Sequence, residues 1–125
     1  MRVVDTSAWI EGLIRGAAGN RLIQEIPAQS DWIVPTIIQL ELAKWLSRNA
    51  SAEEAGGIIA FTTRCVVIEL DTAIAIRAAG LCRAHGLATA DAIIYATALQ
   101  AEADLLTCDA HFEGLEKVVY LPKGG

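Results

Sequence analysis

Short apolar runs rich in β-branched residues alternate along the chain with longer stretches of helical periodicity. The apolar runs predict strands over residues 2–5, 32–34, 65–68, 104–107 and 118–121. The periodic stretches predict helices over residues 8–15, 21–26, 36–49, 52–61, 72–85 and 90–103. Continuous apolar strands separated by helices are typical of a parallel sheet that is covered on both faces. We therefore expect an α/β fold, with a central parallel β-sheet of about five strands flanked by α-helices on both faces.

Polar and glycine residues mark the ends of several predicted helices. Ser7 and Thr36 are predicted to cap the first and third helices, Thr36 directly after Pro35. Gly86 is predicted to end the helix over residues 72–85. Because no repeat, low-complexity tract or linker interrupts the pattern, we expect one domain over residues 1–125.

Composition and charge narrow the function classes. The chain is 54% hydrophobic, yet its apolar runs are too short to span a bilayer, and no secretory signal is expected ahead of the first strand. The three cysteines are scattered and form no disulfide pattern, which favours the reducing cytoplasm. The net charge of −5 speaks against a nucleic-acid partner, unless carboxylates cluster around bound cations that reverse the local sign.

Four acidic side chains are predicted to converge at one edge of the sheet. Asp5 ends the first strand, and Asp109 follows the fourth. Glu41 lies in the second turn of the helix after the second strand, and Asp91 lies in the first turn of the helix that leads to the fourth. Strands end and connecting helices begin at the carboxyl edge of a parallel sheet, where ligands bind in α/β folds. These four residues are therefore the candidate site.

Each acid also has a simple structural explanation. These explanations are a turn or cap for Asp5, the helix dipole for Asp91, loop solvation for Asp109 and a surface ion pair with Lys44 or Arg48 for Glu41. Together they are less convincing, because two carboxylates about 4 Å apart repel by about 4 kcal/mol at an effective dielectric near 20. Clustered carboxylates are ligands that Mg²⁺ or Mn²⁺ prefers. Cys108 and His111 are too few ligands for zinc.

Three segments carry a family resemblance. They are "VVDTSAWI", with an acid and two hydroxyls after the first strand, "PTIIQLELAKWL", with an acid inside a helix, and "ATADAIIYATALQAEADLLTCDAHF", with a third acid and a final Thr-x-Asp. In this order and at this length they resemble the PIN-domain ribonucleases, in particular the VapC-type toxins of prokaryotic toxin–antitoxin pairs. The resemblance covers essentially the whole chain.

The resemblance implies roles for individual residues. The acidic quartet of the family falls on Asp5, Glu41, Asp91 and Asp109, as catalytic residues and metal ligands, and its accessory hydroxyl positions fall on Thr6, Ser7 and Thr107. Cys108 departs from the family, which often has a basic or polar residue there, so any contact of this position with RNA or a partner is expected to be altered.

The implied activity is that of a Mg²⁺-dependent endoribonuclease, with Mn²⁺ as an alternative ion. Asp5 and Asp91 are expected to hold the principal ion, directly or through water. Asp109 and Glu41 are expected to complete the cluster, orient the attacking water or help to hold a second ion. The implied partners are an RNA substrate, a VapB-type antitoxin and a second copy of the chain, with a heterotetramer or larger assembly when antitoxin is bound. The main alternative is a PIN-like module with weak or no activity that binds RNA or protein.

Aromatic residues complete the expectations. Trp9, Trp32 and Trp45 are predicted to pack in or beside the core. A second interpretation places Trp9 and Trp45 along an apolar groove that receives the antitoxin. His85 and His111, the two histidines of the chain, are predicted to lie at the surface.

Overall fold

Five parallel strands form a single sheet in a computed structural model that describes residues 1–123. The strands are β1 (Arg2–Val4), β2 (Trp32–Pro35), β3 (Val66–Ile68), β4 (Asp104–Thr107) and β5 (Val118–Tyr120). Their order across the sheet is β3-β2-β1-β4-β5, and every neighbouring pair is parallel. The helices are α1 (Thr6–Leu13), α2 (Gly19–Glu25), α3 (Thr36–Asn49), α4 (Ala52–Thr63), α5 (Thr72–His85) and α6 (Thr89–Gln100).

The α/β architecture predicted from the sequence is confirmed. Successive residues of a strand point to opposite faces of the sheet. Val3 and Val4 of β1 are both buried, and so are Leu105 and Leu106 of β4. Both faces of the central strands are therefore covered, which explains why these strands have continuous apolar sequences.

Two predicted helix caps are wrong. α1 begins at Thr6, with Asp5 in the capping position. Ser7 is the second residue of the helix, and its hydroxyl donates to the Asp5 carboxylate. α3 begins at Thr36 itself, after Pro35 in the capping position. The prediction for Gly86 is confirmed, because it caps α5 in the left-handed conformation, with φ of 67°.

The aromatic residues pack as predicted. The rings of Trp9 and Trp32 lie 4.7 Å apart, and the ring of Phe61 lies 5.2 Å from that of Trp32. Trp9 and Trp32 are buried, and Trp45 is half-buried against the core. Of the helices in residues 1–123, none is long and apolar enough to cross a membrane.

Candidate active site

The candidate site lies where the strand connections reverse direction. From β1 the chain proceeds to β2 and β3 on one side, whereas β4 and β5 occupy the other side of β1. Asp5 directly follows β1, and its backbone N–H donates to the Leu106 carbonyl of β4 at 2.8 Å. Asp109 follows the end of β4 and caps the short 3₁₀ turn Ala110–Phe112. Both acids therefore lie at the carboxyl edge, at the topological switch point where α/β sheets bind ligands.

Two hydroxyls fix the carboxylate of Asp5. Ser7 Oγ and Thr107 Oγ1 both donate to Asp5 Oδ2, at 2.6 and 2.8 Å. The same hydroxyl oxygens accept backbone N–H groups, from Cys108 at Ser7 and from Asp109 at Thr107, both at 3.0 Å. This network joins the ends of β1 and β4 and directs both hydroxyls at a single oxygen of Asp5. The predicted accessory hydroxyls thus contact a site carboxylate directly.

Glu41 is held by the third accessory hydroxyl. Thr6 Oγ1 donates to Glu41 Oε1 at 2.6 Å, which ties the start of α1 to the second turn of α3. No salt bridge joins Glu41 to Lys44 or Arg48 within residues 1–123. Glu41 is therefore oriented by a bond across the site and not by a basic residue on its own helix.

Asp91 and Asp109 meet at the crevice together with His111. One potential ligand atom from each of the three residues lies within 4.8 Å of the other two. His111 Nδ1 is 2.8 Å from Asp109 Oδ1, and the same oxygen accepts the backbone N–H of His111 at 2.9 Å. Asp5 and Glu41 lie outside this tight group. They are nevertheless near enough for their charges to raise the pKa of Asp91.

His111 was predicted as a surface residue, and its place beside the acids was missed. The imidazole is indeed exposed, at 78% of its side-chain surface. The spacing Asp109-Ala110-His111 was the available signal, since a carboxylate that caps a tight turn brings the side chain two residues later to the same side.

Burial and the neighbouring negative charges raise the pKa of two of the site acids, Asp5 and Asp91. Burial raises the pKa of Asp5, against the lowering effect of the Ser7 and Thr107 hydrogen bonds, and the charges of Asp109 and Glu41 raise it further. Burial also raises the pKa of Asp91 to about 6, and the other three acids add to this effect. Within the described chain, no Lys or Arg forms a salt bridge with any of the four.

The donor set fits a hard divalent cation. Asp91 and Asp109 present carboxylate oxygens to the crevice, and Asp5 has one oxygen beyond the two hydroxyl bonds that occupy Oδ2. Carboxylate oxygens and water suit Mg²⁺ and Mn²⁺. A zinc site built on Cys108 is not supported, because Cys108 is absent from the group that contains His111.

Cys108 points into the protein. The side chain is buried, and burial, followed by the nearby Glu11 charge, raises the thiol pKa to about 11. The Cys108 side chain therefore packs in the interior and presents almost no surface to a binding partner. The expected change in an RNA or partner contact does not arise through this side chain.

An apolar groove lies between α1 and α2. Its volume is about 610 Å³, and its apolar lining includes Trp9, Leu13, Leu22, Ile23, Ile26 and Trp32. Ile23 and Ile26 are exposed, the former at 71%. The predicted groove at Trp9 is therefore present, but its second aromatic residue is Trp32. The prediction that Trp45 lines it is wrong, because Trp45 packs from α3 against the core.

Comparisons with solved structures agree with this architecture. A toxin–antitoxin complex from Klebsiella pneumoniae contains a chain with 23% identity and a TM-score of 0.79, over 95% of this chain and 96% of that one. FitAcB from Neisseria gonorrhoeae has 20% identity and a TM-score of 0.75, over 98% of both chains.

A third structure, VapC20 from Mycobacterium tuberculosis, is described as a sarcin–ricin loop cleaving toxin. It has 19% identity and a TM-score of 0.74, over 98% of this chain and 99% of that one. No curated protein matches the chain by sequence. The PIN domain model matches residues 2–118. With this match across nearly the whole chain, and with its acids at the switch point of the sheet, the chain belongs to the PIN domain family.

Proposed function

We propose that the chain is a VapC-type toxin that acts as a Mg²⁺-dependent endoribonuclease in the cytoplasm. The observation that carries the proposal is the group of four carboxylates at the sheet switch point, among which the described residues provide no Lys or Arg salt bridge. Membership of the PIN domain family and the fold shared with toxins of toxin–antitoxin complexes support it. Three free cysteines are compatible with a reducing compartment.

The residues divide the work of hydrolysis between them. A bound divalent ion lowers the pKa of a water ligand and neutralises the charge that grows on the phosphoryl oxygens. Asp91 and Asp109 approach each other within the tight group, so we assign them with Asp5 as ligands. Glu41, held by Thr6, is assigned to orient the attacking water. The Ser7 and Thr107 hydroxyls keep Asp5 in one rotamer, which reduces the reorganisation needed to form the site.

The α1–α2 groove is the proposed seat of a VapB-type antitoxin. The chain is similar in fold to members of toxin–antitoxin complexes from several bacteria. An apolar groove with exposed Ile23 and Ile26 is suited to the apolar face of a partner segment. The net charge of −5 favours a segment that carries basic residues. By analogy with the same family, we also propose a homodimer that assembles with antitoxin into a heterotetramer or larger complex.

Cleavage of RNA tests the proposal. Purified protein is incubated with transfer RNA, ribosomal RNA and messenger RNA in Mg²⁺ or in EDTA, and the new ends are mapped at single-nucleotide resolution. We expect cuts in Mg²⁺ and none in EDTA. We expect Asp5→Asn and Asp91→Asn to lose at least 100-fold in rate, about 3 kcal/mol of transition-state stabilisation. Glu53→Gln is the matched control, because Glu53 is an exposed acid in the first turn of α4 and should leave the rate unchanged.

Three outcomes would count against the proposal. Cleavage that persists in EDTA would exclude the metal mechanism. Equal rates in Asp91→Asn and wild type would exclude the acidic site. Binding of RNA without any cut, under conditions in which Mg²⁺ is shown to bind, would support the non-cleaving PIN-like module instead.

A further inference from the structure

His111 lies within the acidic cluster and offers a nitrogen donor. The side chain follows Asp109 by two residues, in a turn that is anchored by the fully buried Phe112. The Asp109 carboxylate accepts the His111 backbone N–H at 2.9 Å, which closes the turn and brings Nδ1 to 2.8 Å from the same oxygen. The imidazole is largely exposed, so it can rotate about its own side-chain bonds without disturbing the core.

The spacing of the three side chains suits one ion. Potential ligand atoms of Asp91, Asp109 and His111 lie within 4.8 Å of one another. An ion with bonds of about 2.1–2.3 Å has opposite ligands roughly 4.2–4.6 Å apart, so small side-chain rotations suffice to close the group around it. Asp91 comes from the first turn of α6, whereas the other two follow β4, so the fold itself brings them together.

A second observation points independently to a cation at this edge. Only 3% of the surface of Asp5 is exposed. Both hydroxyls that donate to its carboxylate bond to Oδ2, so Oδ1 accepts neither of these bonds. In the part of the chain that the structure describes, no Lys or Arg pairs with it. A buried carboxylate without a cationic partner is costly, and a metal ion removes that cost.

We propose that His111 is a direct ligand of the divalent ion bound by Asp91 and Asp109, and that this nitrogen makes the site prefer Mn²⁺ over Mg²⁺. The proposal rests on the metal site of the proposed function and adds a ligand and a selectivity to it. Imidazole nitrogen binds first-row transition ions well, whereas Mg²⁺ favours oxygen ligands and retains its waters. An all-carboxylate site lacks this source of discrimination. The simple alternative is that His111 only bonds to Asp109 and stays outside the coordination sphere.

Pulsed EPR of Mn²⁺-loaded protein distinguishes the two arrangements, because directly coordinated nitrogen modulates the electron spin echo of Mn²⁺. The chain has two histidines, so His85→Gln is a matched control for His111→Gln. We expect nitrogen modulation in wild type and in His85→Gln, and its loss in His111→Gln. Both side chains are exposed, so neither substitution should affect folding, which thermal melting verifies.

Calorimetry adds the selectivity test. We expect His111→Gln to weaken Mn²⁺ binding about tenfold and Mg²⁺ binding less than twofold, so that the preference for Mn²⁺ is largely lost. Mn²⁺ bound through oxygen alone in wild type would overturn the assignment of His111 and leave the acidic site intact. If Asp91→Asn bound Mn²⁺ as tightly as wild type, or if wild type bound none, both the His111 assignment and the acidic metal site would be overturned. Nitrogen ligation without RNA cleavage would uphold this inference and reject the nuclease.

Discussion

Removal of one site charge should stabilise the protein in the absence of metal. Asp91 has a pKa raised from 3.8 to about 6, first by burial and then by the charges of Asp109, Asp5 and Glu41. Between these two pH values the folded state binds more protons than the unfolded state, so the free energy of unfolding falls as the pH rises from about 4 to about 6. Asp91→Asn is neutral at every pH and escapes this loss.

The expected gain follows from the pKa difference. A difference of about two pKa units corresponds to about 3 kcal/mol at full strength. Asp91 is partly exposed, and solvent screening reduces this value to about 1 kcal/mol. Asp91→Asn should therefore unfold about 4 °C higher than wild type at pH 8. At pH 4 the gain should nearly vanish, because the wild-type side chain is then mostly protonated in the folded state.

Thermal melting and urea denaturation at pH 4 and pH 8, with EDTA present, measure the change in melting temperature and in the free energy of unfolding. Asp104→Asn is a control in which the stability should change in the opposite direction. Hydrogen bonds from Arg2 lower the pKa of Asp104, so loss of the Asp104 charge should destabilise the protein at pH 8. Equal stability of Asp91→Asn and wild type at pH 8, or the same difference at both pH values, would refute the electrostatic argument.

Two further substitutions test how the site and its neighbouring loop are held. Thr107→Val removes the buried hydroxyl that donates to Asp5, and should lower the free energy of unfolding, measured by urea titration, by about 1–3 kcal/mol. Thr107→Ser keeps a hydroxyl and should retain most of the wild-type stability. A Thr107→Val variant as stable as wild type would contradict the role of this hydrogen-bond network. Gly16→Ala should destabilise by about 1–3 kcal/mol, because its Cβ would push the buried Glu11 carboxylate away from the Ala18 N–H that donates to it. Gly19→Ala, with open space around it, should not destabilise the protein. Equal melting temperatures of the two alanine variants would show that Glu11 moves aside at no cost.

The sheet could be predicted from the sequence because its strands are buried on both faces. Such strands place apolar residues on both faces at successive positions, as the buried Leu105 and Leu106 do in Asp104–Thr107, where the predicted and observed bounds are identical. The shared location of the four acids could be predicted by the same argument, since parallel strands end and the helices after them begin at one edge of the sheet.

Helix ends were harder to predict because several use conformations that carry no sequence signal. The last helix was expected to reach residue 103 but ends at Gln100, ahead of Glu102 in a left-handed conformation with φ of 55°. Arg15 follows α1 in the same way, with φ of 53°. Glycine or asparagine usually marks such positions, and neither residue occurs at these two.

The side-chain hydrogen bonds of the site could not be predicted from the sequence either. Ser7 has the residue type of a helix cap, and only the neighbouring strand end shows that its hydroxyl meets Asp5 and the Cys108 N–H instead. The position of His111 depends on the tight turn that Asp109 caps. Both contacts arise from tertiary proximity, which periodicity does not encode.

Anomalous diffraction at the manganese edge tests the central claim most directly, in crystals of the protein soaked in Mn²⁺. We predict a peak in the crevice at the carboxyl edge, about 2.2 Å from carboxylate oxygens of Asp91 and Asp109, with Asp5 bound directly or through water. Crystals of Asp91→Asn soaked in the same way should show no manganese peak at this position. Manganese bound only elsewhere on the protein, with these carboxylates free of metal, would contradict the account.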